Sequence, residues 1–178
     1  MKLFWIDMEM TGLDVNCNHI IEIAVIITNE KLEQIEQFTT AVHCPDDMLD
    51  KMDEWNKRTH GGSGLWLASR RGKHIREAET ALLELVDKHF RNTKVILCGS
   101  SLHLDRLYIE KFMPRFAQKL HYRIIDISSW KAIFQWTLDV PYERSEGHRA
   151  LDDIQDSIRE LKSYISLIDP SKVPGLKG

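Results

Sequence analysis

The chain has 178 residues, 43% of them hydrophobic and 29% charged, which suits one globular domain with one core and excludes a disordered chain. Lys and Arg total 24 against 27 Asp and Glu, for a net charge of −3, so bulk electrostatics do not make it a coat for nucleic acid. No run approaches the ~20 apolar residues of a membrane span, and the start shows neither a charged leader with a cleavage site nor an Arg-rich presequence. The expected location is the cytoplasm, with the mitochondrion as the alternative if a presequence is missing from this chain.

The elements follow in order. Lys2 to Asp7 predicts a short buried strand. His19 to Thr28 (HIIEIAVIIT) is β-branched and nearly all apolar, which predicts a second strand inside a sheet. Asn29-Glu30 marks a turn, and Leu32 to Val42 predicts a third, more polar strand, completing an antiparallel meander. Pro45 with Asp46-Asp47 opens a helix expected to reach about Arg58, and Gly61-Gly62-Ser63-Gly64 predicts a flexible loop. Between Ile75 and Phe90, Ala78, Ala81, Leu82, Leu85, Val86 and His89 keep helical spacing. Lys94 to Cys98 predicts a fourth strand, Gly99-Ser100-Ser101 a turn, and Leu104, Leu107, Tyr108 and Phe112 a helix. Arg123 to Ile127 predicts a fifth strand, Trp130 to Trp136 a short helix, and Asp139 to Gly147 a polar loop. In the last helix Leu151, Ile154, Ile158, Leu161, Ile165 and Ile168 are spaced 3, 4, 3, 4, 3, a core stripe.

Three hairpin-linked strands followed by strand, helix, strand, helix predict an α/β fold: a mixed sheet of about five strands flanked by helices. Residues 1–170 read as a single domain, and the tail after Asp169-Pro170, 171–178, as loose. Cys17, Cys44 and Cys98 form neither a disulfide framework nor a CxxC pair, which points to a reducing compartment. From Lys51 to Arg76 seven cations face two anions, a local +5 that leaves −8 elsewhere. Such a strip fits a short anionic ligand, or simply a solvated surface.

The chemistry is in the carboxylates. Asp7 and Glu9, two apart on a strand, point to one side just before the turn at Thr11-Gly12. Carboxylates held this close repel unless a cation lies between them or one is protonated. Oxygen-rich, cysteine-free ligation suits Mg²⁺ or Mn²⁺. Asp105 near the start of one helix, Asp153 in the first turns of the last, and His148 five residues before it complete a candidate constellation. Each has a plain alternative: a helix-start acid favoured by the dipole, an exposed acid beside Asp152, a surface histidine.

WIDMEMTGL (Trp5 to Leu13), SSLHLDR (Ser100 to Arg106) and HRALDDI (His148 to Ile154) resemble the three motifs of the DEDDh 3′→5′ exonucleases, a family with a ribonuclease H-like fold. DEWNKRTHGGSGL (Asp53 to Leu65) and HYRIIDISS (His121 to Ser129) are similar to the oligoribonuclease family in particular. The departure is Ser100, where that family usually has Asn. The resemblance implies a metal-dependent exoribonuclease that hydrolyses dinucleotides and slightly longer RNAs to nucleoside 5′-monophosphates. It further implies that Asp7, Glu9, Asp105 and Asp153 hold two divalent cations, with His148 as general base. Leu13 would wedge between the last two bases, with Trp55 and Tyr122 stacking on them. His60, Arg123 and Ser128 would cap the 5′ phosphate, with Tyr122 and Arg123 coming from the partner in a homodimer. Two other readings remain: a related exonuclease acting on longer DNA or RNA ends, and a catalytically silent nucleic-acid-binding module of the same fold.

Overall fold

The computed structural model describes residues 2–91, 93–142 and 149–168. Its sheet has five strands: β1 (Lys2–Met10), β2 (Ile20–Asn29), β3 (Gln34–Ala41), β4 (Val95–Gly99) and β5 (Leu120–Asp126). Their order is β3-β2-β1-β4-β5. β1–β2 and β2–β3 are antiparallel, whereas β1–β4 and β4–β5 are parallel. The helices are α1 (Asp46–Leu49), α2 (Glu54–Gly62), α3 (Leu65–Arg70), α4 (Ile75–His89), α5 (Leu102–Phe112), α6 (Pro114–Ala117), α7 (Ile127–Leu138) and α8 (Ala150–Ser166). The meander, the parallel strands and the flanking helices are as the sequence predicts.

Period-two alternation sorts β1 between two layers. Phe4, Ile6 and Met8 join Leu82 and Val86 of α4, Tyr108 of α5 and Phe116 of α6 on one face. Leu3 and Trp5 join Ala24 and Ile26 of β2 and Ile154, Ile158 and Leu161 of α8 on the other. Trp5 is fully buried, and its indole N–H donates to Thr28 Oγ1 at 3.0 Å, so its one polar atom is satisfied. Gly99 ends β4 beside β1, where a Cβ would come within 2.6 Å of the Ile6 carbonyl oxygen.

Local chemistry moves several boundaries. The helix expected from Pro45 to Arg58 is two, because Asp53 accepts the Asn56 amide at 2.7 Å and starts α2 afresh. Gly61 and Gly62 lie within the last turn of α2 rather than in a loop. Gly64, at φ +74°, turns the chain directly into α3, which the sequence reading missed along with α6. The apolar stripe of α8 stops at Leu161. Tyr164 is buried in its place, while Ile165 and Ile168 are 46% and 39% exposed.

The turn between β4 and α5 is held by a side chain from elsewhere. Ser101 sits in the left-handed region at φ +55°. Asp126, at the end of β5, accepts the amides of Ser101 (3.1 Å), Leu102 (3.0 Å) and Ser128 (2.9 Å), so one carboxylate caps α5 and α7 together. Asp126→Ala leaves three amides without that acceptor and is expected to lose about 3 kcal/mol in urea unfolding, with Asp126→Asn losing about half as much. A loss below about 0.5 kcal/mol for the alanine variant would mean that water replaces the cap.

Candidate active site

β1 delivers two acids. Past the apolar part of its α8-facing side, Asp7 and Glu9 continue the series Leu3, Trp5. α8 delivers the third, because Asp153 adjoins the buried stripe residue Ile154. Ligand oxygens of Asp7, Glu9 and Asp153 lie within 4.8 Å of one another, and they form the one such group among the described residues. Asp152 is exposed and not part of it.

Asp105 comes from the first turn of α5 and is 5% exposed. It is not one of the three, but its charge acts on Glu9. Burial pushes the Asp105 carboxyl up to about 7 against the pull of its own amide and that of Met8. Its Oδ1 is buried with no hydrogen-bond partner. Glu9 is pushed up to about 8, first by burial and then by the charges of Asp153, Glu22 and Asp105, with Arg149 opposing. An all-oxygen donor set, mutual repulsion and an orphaned buried carboxylate oxygen fit a hard divalent cation such as Mg²⁺ or Mn²⁺.

The remaining sequence-predicted residues lie as follows. Leu13, in the loop after β1, is 79% exposed, and Tyr122 on β5 is 75% exposed, so neither is a core residue. Trp55 on α2 is half exposed. Arg123 is exposed and lies over the Tyr122 ring, 5.3 Å from its centroid. Ser128 Oγ accepts the Ser101 amide at 3.0 Å. His60 is buried at the end of α2. His148 and the tail 171–178 lie outside the described residues. The cationic stretch runs from just after α1 into α4, with Lys51 pairing with Asp47 and Arg70 with Asp46. A large surface hollow lined by Phe90, Lys94 and Lys119 lies at the start of β4 and includes none of the carboxylates.

Two residues escaped the sequence reading. Glu22 stands directly opposite Glu9 in the β1–β2 register, is 2% exposed, and forms an ion pair with Arg149. The signal was available: a single acid inside a buried β-branched run needs a partner.

The sequence pattern of the Exonuclease family matches residues 4–161. Exonuclease I from Methylocaldum szegediense superposes with a TM-score of 0.70 at 16% identity, over 95% of this chain and 41% of that one. Escherichia coli ExoI, solved with single-stranded DNA, gives 0.71 at 14% identity, over 96% and 40%. The chain thus spans about two fifths of those proteins and shares their fold. The pattern match makes this a domain of the Exonuclease family, on the ribonuclease H-like fold it shares with those proteins. An oligoribonuclease of Acinetobacter baylyi is 44% identical over 168 residues, covering 92% of each chain. A probable oligoribonuclease of Dictyostelium discoideum is 43% identical over 167 residues, covering 92% of this chain and 88% of its own. The chain belongs to the oligoribonuclease family.

Glu9 and Asp105 bind a proton more tightly folded than unfolded, so their contribution to metal-free stability is complete below the ordinary carboxylate range and is lost as pH rises toward 7 and 8. Melting in chelator is therefore expected to fall between pH 5 and 8. Glu9→Gln should flatten that slope and raise metal-free stability at pH 8 by about 3 kcal/mol. A metal-free stability that climbs over this range would contradict the crowding of the acids.

Proposed function

We propose that this protein is a 3′→5′ exoribonuclease that hydrolyses short RNA oligonucleotides, dinucleotides and slightly longer, to nucleoside 5′-monophosphates. The observation that carries the reading is the meeting of Asp7, Glu9 and Asp153 beside buried Asp105, in a chain of this family. Those four carboxylates would hold two divalent cations. When bound, Mg²⁺ or Mn²⁺ would supply charge stabilisation at the scissile phosphate and activation of a water. His148 takes the proton of the attacking water, a task suited to an imidazole, because the ordinary histidine pKa of ~6.5 lies near neutral pH. The three free cysteines, two of them buried, agree with a reducing cytoplasm. Among the described residues no helix is long and apolar enough to cross a membrane.

Leu13 is the proposed wedge at the 3′ end, and its exposure supports that use. Trp55 and Tyr122 stack on the bases, at ~1–3 kcal/mol per base. His60, Arg123 and Ser128 cap the 5′ phosphate, so a longer strand has no exit and short RNAs are favoured. Tyr122 and Arg123 lie on β5, one of the two edge strands of the sheet, in keeping with their being presented to a second copy. The helix that follows, α7, exposes Ile133 (58%) and Trp136 (83%) on one side, apolar surface suited to a homodimer contact.

With 5′-phosphorylated RNAs of two to seven nucleotides, the dinucleotide should be turned over fastest and chelator should stop the reaction. Asp153→Asn should cut turnover at least about a hundredfold with the fold retained, and Asp152→Asn should not. Degradation of long single-stranded DNA as readily as a dinucleotide would favour the related-exonuclease reading, and no release of monophosphates the silent module. Trp136→Glu is expected to give a monomer by light scattering with at least about tenfold lower dinucleotide turnover. A fully active monomer would refute a cap supplied by the partner.

A further inference from the structure

Glu9 and Glu22 face each other across β1 and β2 on the side covered by α8. Like charges opposite each other on a sheet destabilise it, and Glu22 is almost wholly buried. Arg149 answers this charge: its Nε lies 3.0 Å from each Glu22 oxygen, and its Nη2 also reaches Oε1. Arg149 is the residue before α8 and contributes no side-chain cap to it. Glu22 supplies the cap instead, accepting the Ala150 amide at 3.2 Å with the oxygen that Arg149 also holds. The Arg149 carbonyl in turn accepts the Asp153 amide at 3.1 Å, so the anchored residue bonds directly to a member of the acidic cluster. Its Nη1 donates to the Ser63 carbonyl at 3.3 Å, tying in the junction of α2 and α3.

We propose that Glu22 and Arg149 are positioning residues. Locked together, they fix where α8 begins and how it is rotated, and so hold Asp153 opposite Asp7 and Glu9 while fastening the α2–α3 junction to the same point. Neither is proposed to touch metal or substrate. The inference rests on the reading of the acidic cluster as a metal site, and partners that orient metal ligands typically matter 10–100-fold.

Charge alone and positioning predict opposite signs for the loss of Arg149. If only charge mattered, removing the cation of Arg149 would tighten cation binding, and neutralising Glu22 would weaken it. Positioning predicts that both changes weaken it. It also predicts that a lysine, which keeps the charge but not the planar fork, fails to restore it. The test titrates Mn²⁺ by electron paramagnetic resonance into the full chain and its Arg149→Gln, Arg149→Lys, Glu22→Gln and Glu22→Gln/Arg149→Gln variants. Melting curves and dinucleotide kcat and KM are measured alongside. Each single variant is expected to bind Mn²⁺ about tenfold more weakly or worse, with the double variant within about twofold of the singles because the pair acts as a unit. Should Arg149→Gln fail to fold, the lysine and Glu22→Gln variants carry the comparison. Tighter or unchanged Mn²⁺ binding in Arg149→Gln, or single effects that add in the double variant, would overturn the proposal. A wild-type chain that binds Mn²⁺ with this pattern yet releases no monophosphate would sink the hydrolase reading and support the positioning role.

Discussion

Two unit charges about 4 Å apart near a protein surface repel by roughly 4 kcal/mol at an effective dielectric of 20. Asp7, Glu9 and Asp153 accept that cost at separations of 4.8 Å or less, with Asp105 and Glu22 adding to the field on Glu9. A chain free to relax would spread these groups into water. They stay because each sits on an element fixed by burial elsewhere: β1 by Trp5 and Phe4, α8 by Ile154 and Leu161, and α5 by Tyr108. The apolar layers supply the stability that the acids spend, and protonation or a bound cation relieves the strain between them.

Topology explains why this happens at one place. β1 is the middle strand, antiparallel to β2 and parallel to β4. Its carboxyl end therefore lies beside the carboxyl end of β4, from which α5 departs with Asp105. Ligands in open α/β sheets gather outside the carboxyl ends of the strands. The register irregularity between Glu9 and Met10 ends regular pairing just past the second acid. Asp126 closes the far side by capping α5 and α7 at once.

Much of this was legible because it depends on local periods. A period of two placed Asp7 and Glu9 on one face, and the 3.6-residue period put Asp153 beside the buried stripe of α8. The meander and the order of later elements followed from apolar runs and turn residues. What escaped depends on contacts between distant segments. Glu22 and Arg149 are 127 residues apart, and the Asp126 contact with Ser101 spans 25. No local pattern announces either pair, although a lone acid in HIIEIAVIIT hints that a partner exists. The split between α1 and α2 was local and still missed, since Asp53 serves equally well as a mid-helix acid or an N-cap. Ile165 and Ile168 kept the helical period beyond the point where the sheet ends, and periodicity alone does not show where cover stops.

The central claim is that burial, with the charges of Asp153, Glu22 and Asp105 beside it, keeps Glu9 at the tip of β1 protonated near neutral pH until a cation joins the acids. Calorimetric titration of Mn²⁺ into the metal-free protein at pH 7, in buffers of different ionisation enthalpy, tests it directly. With Glu9 raised to about 8 and Asp105 to about 7, cation binding should expel on the order of one proton or more per chain. Binding with no proton release, or no binding at all, would contradict it.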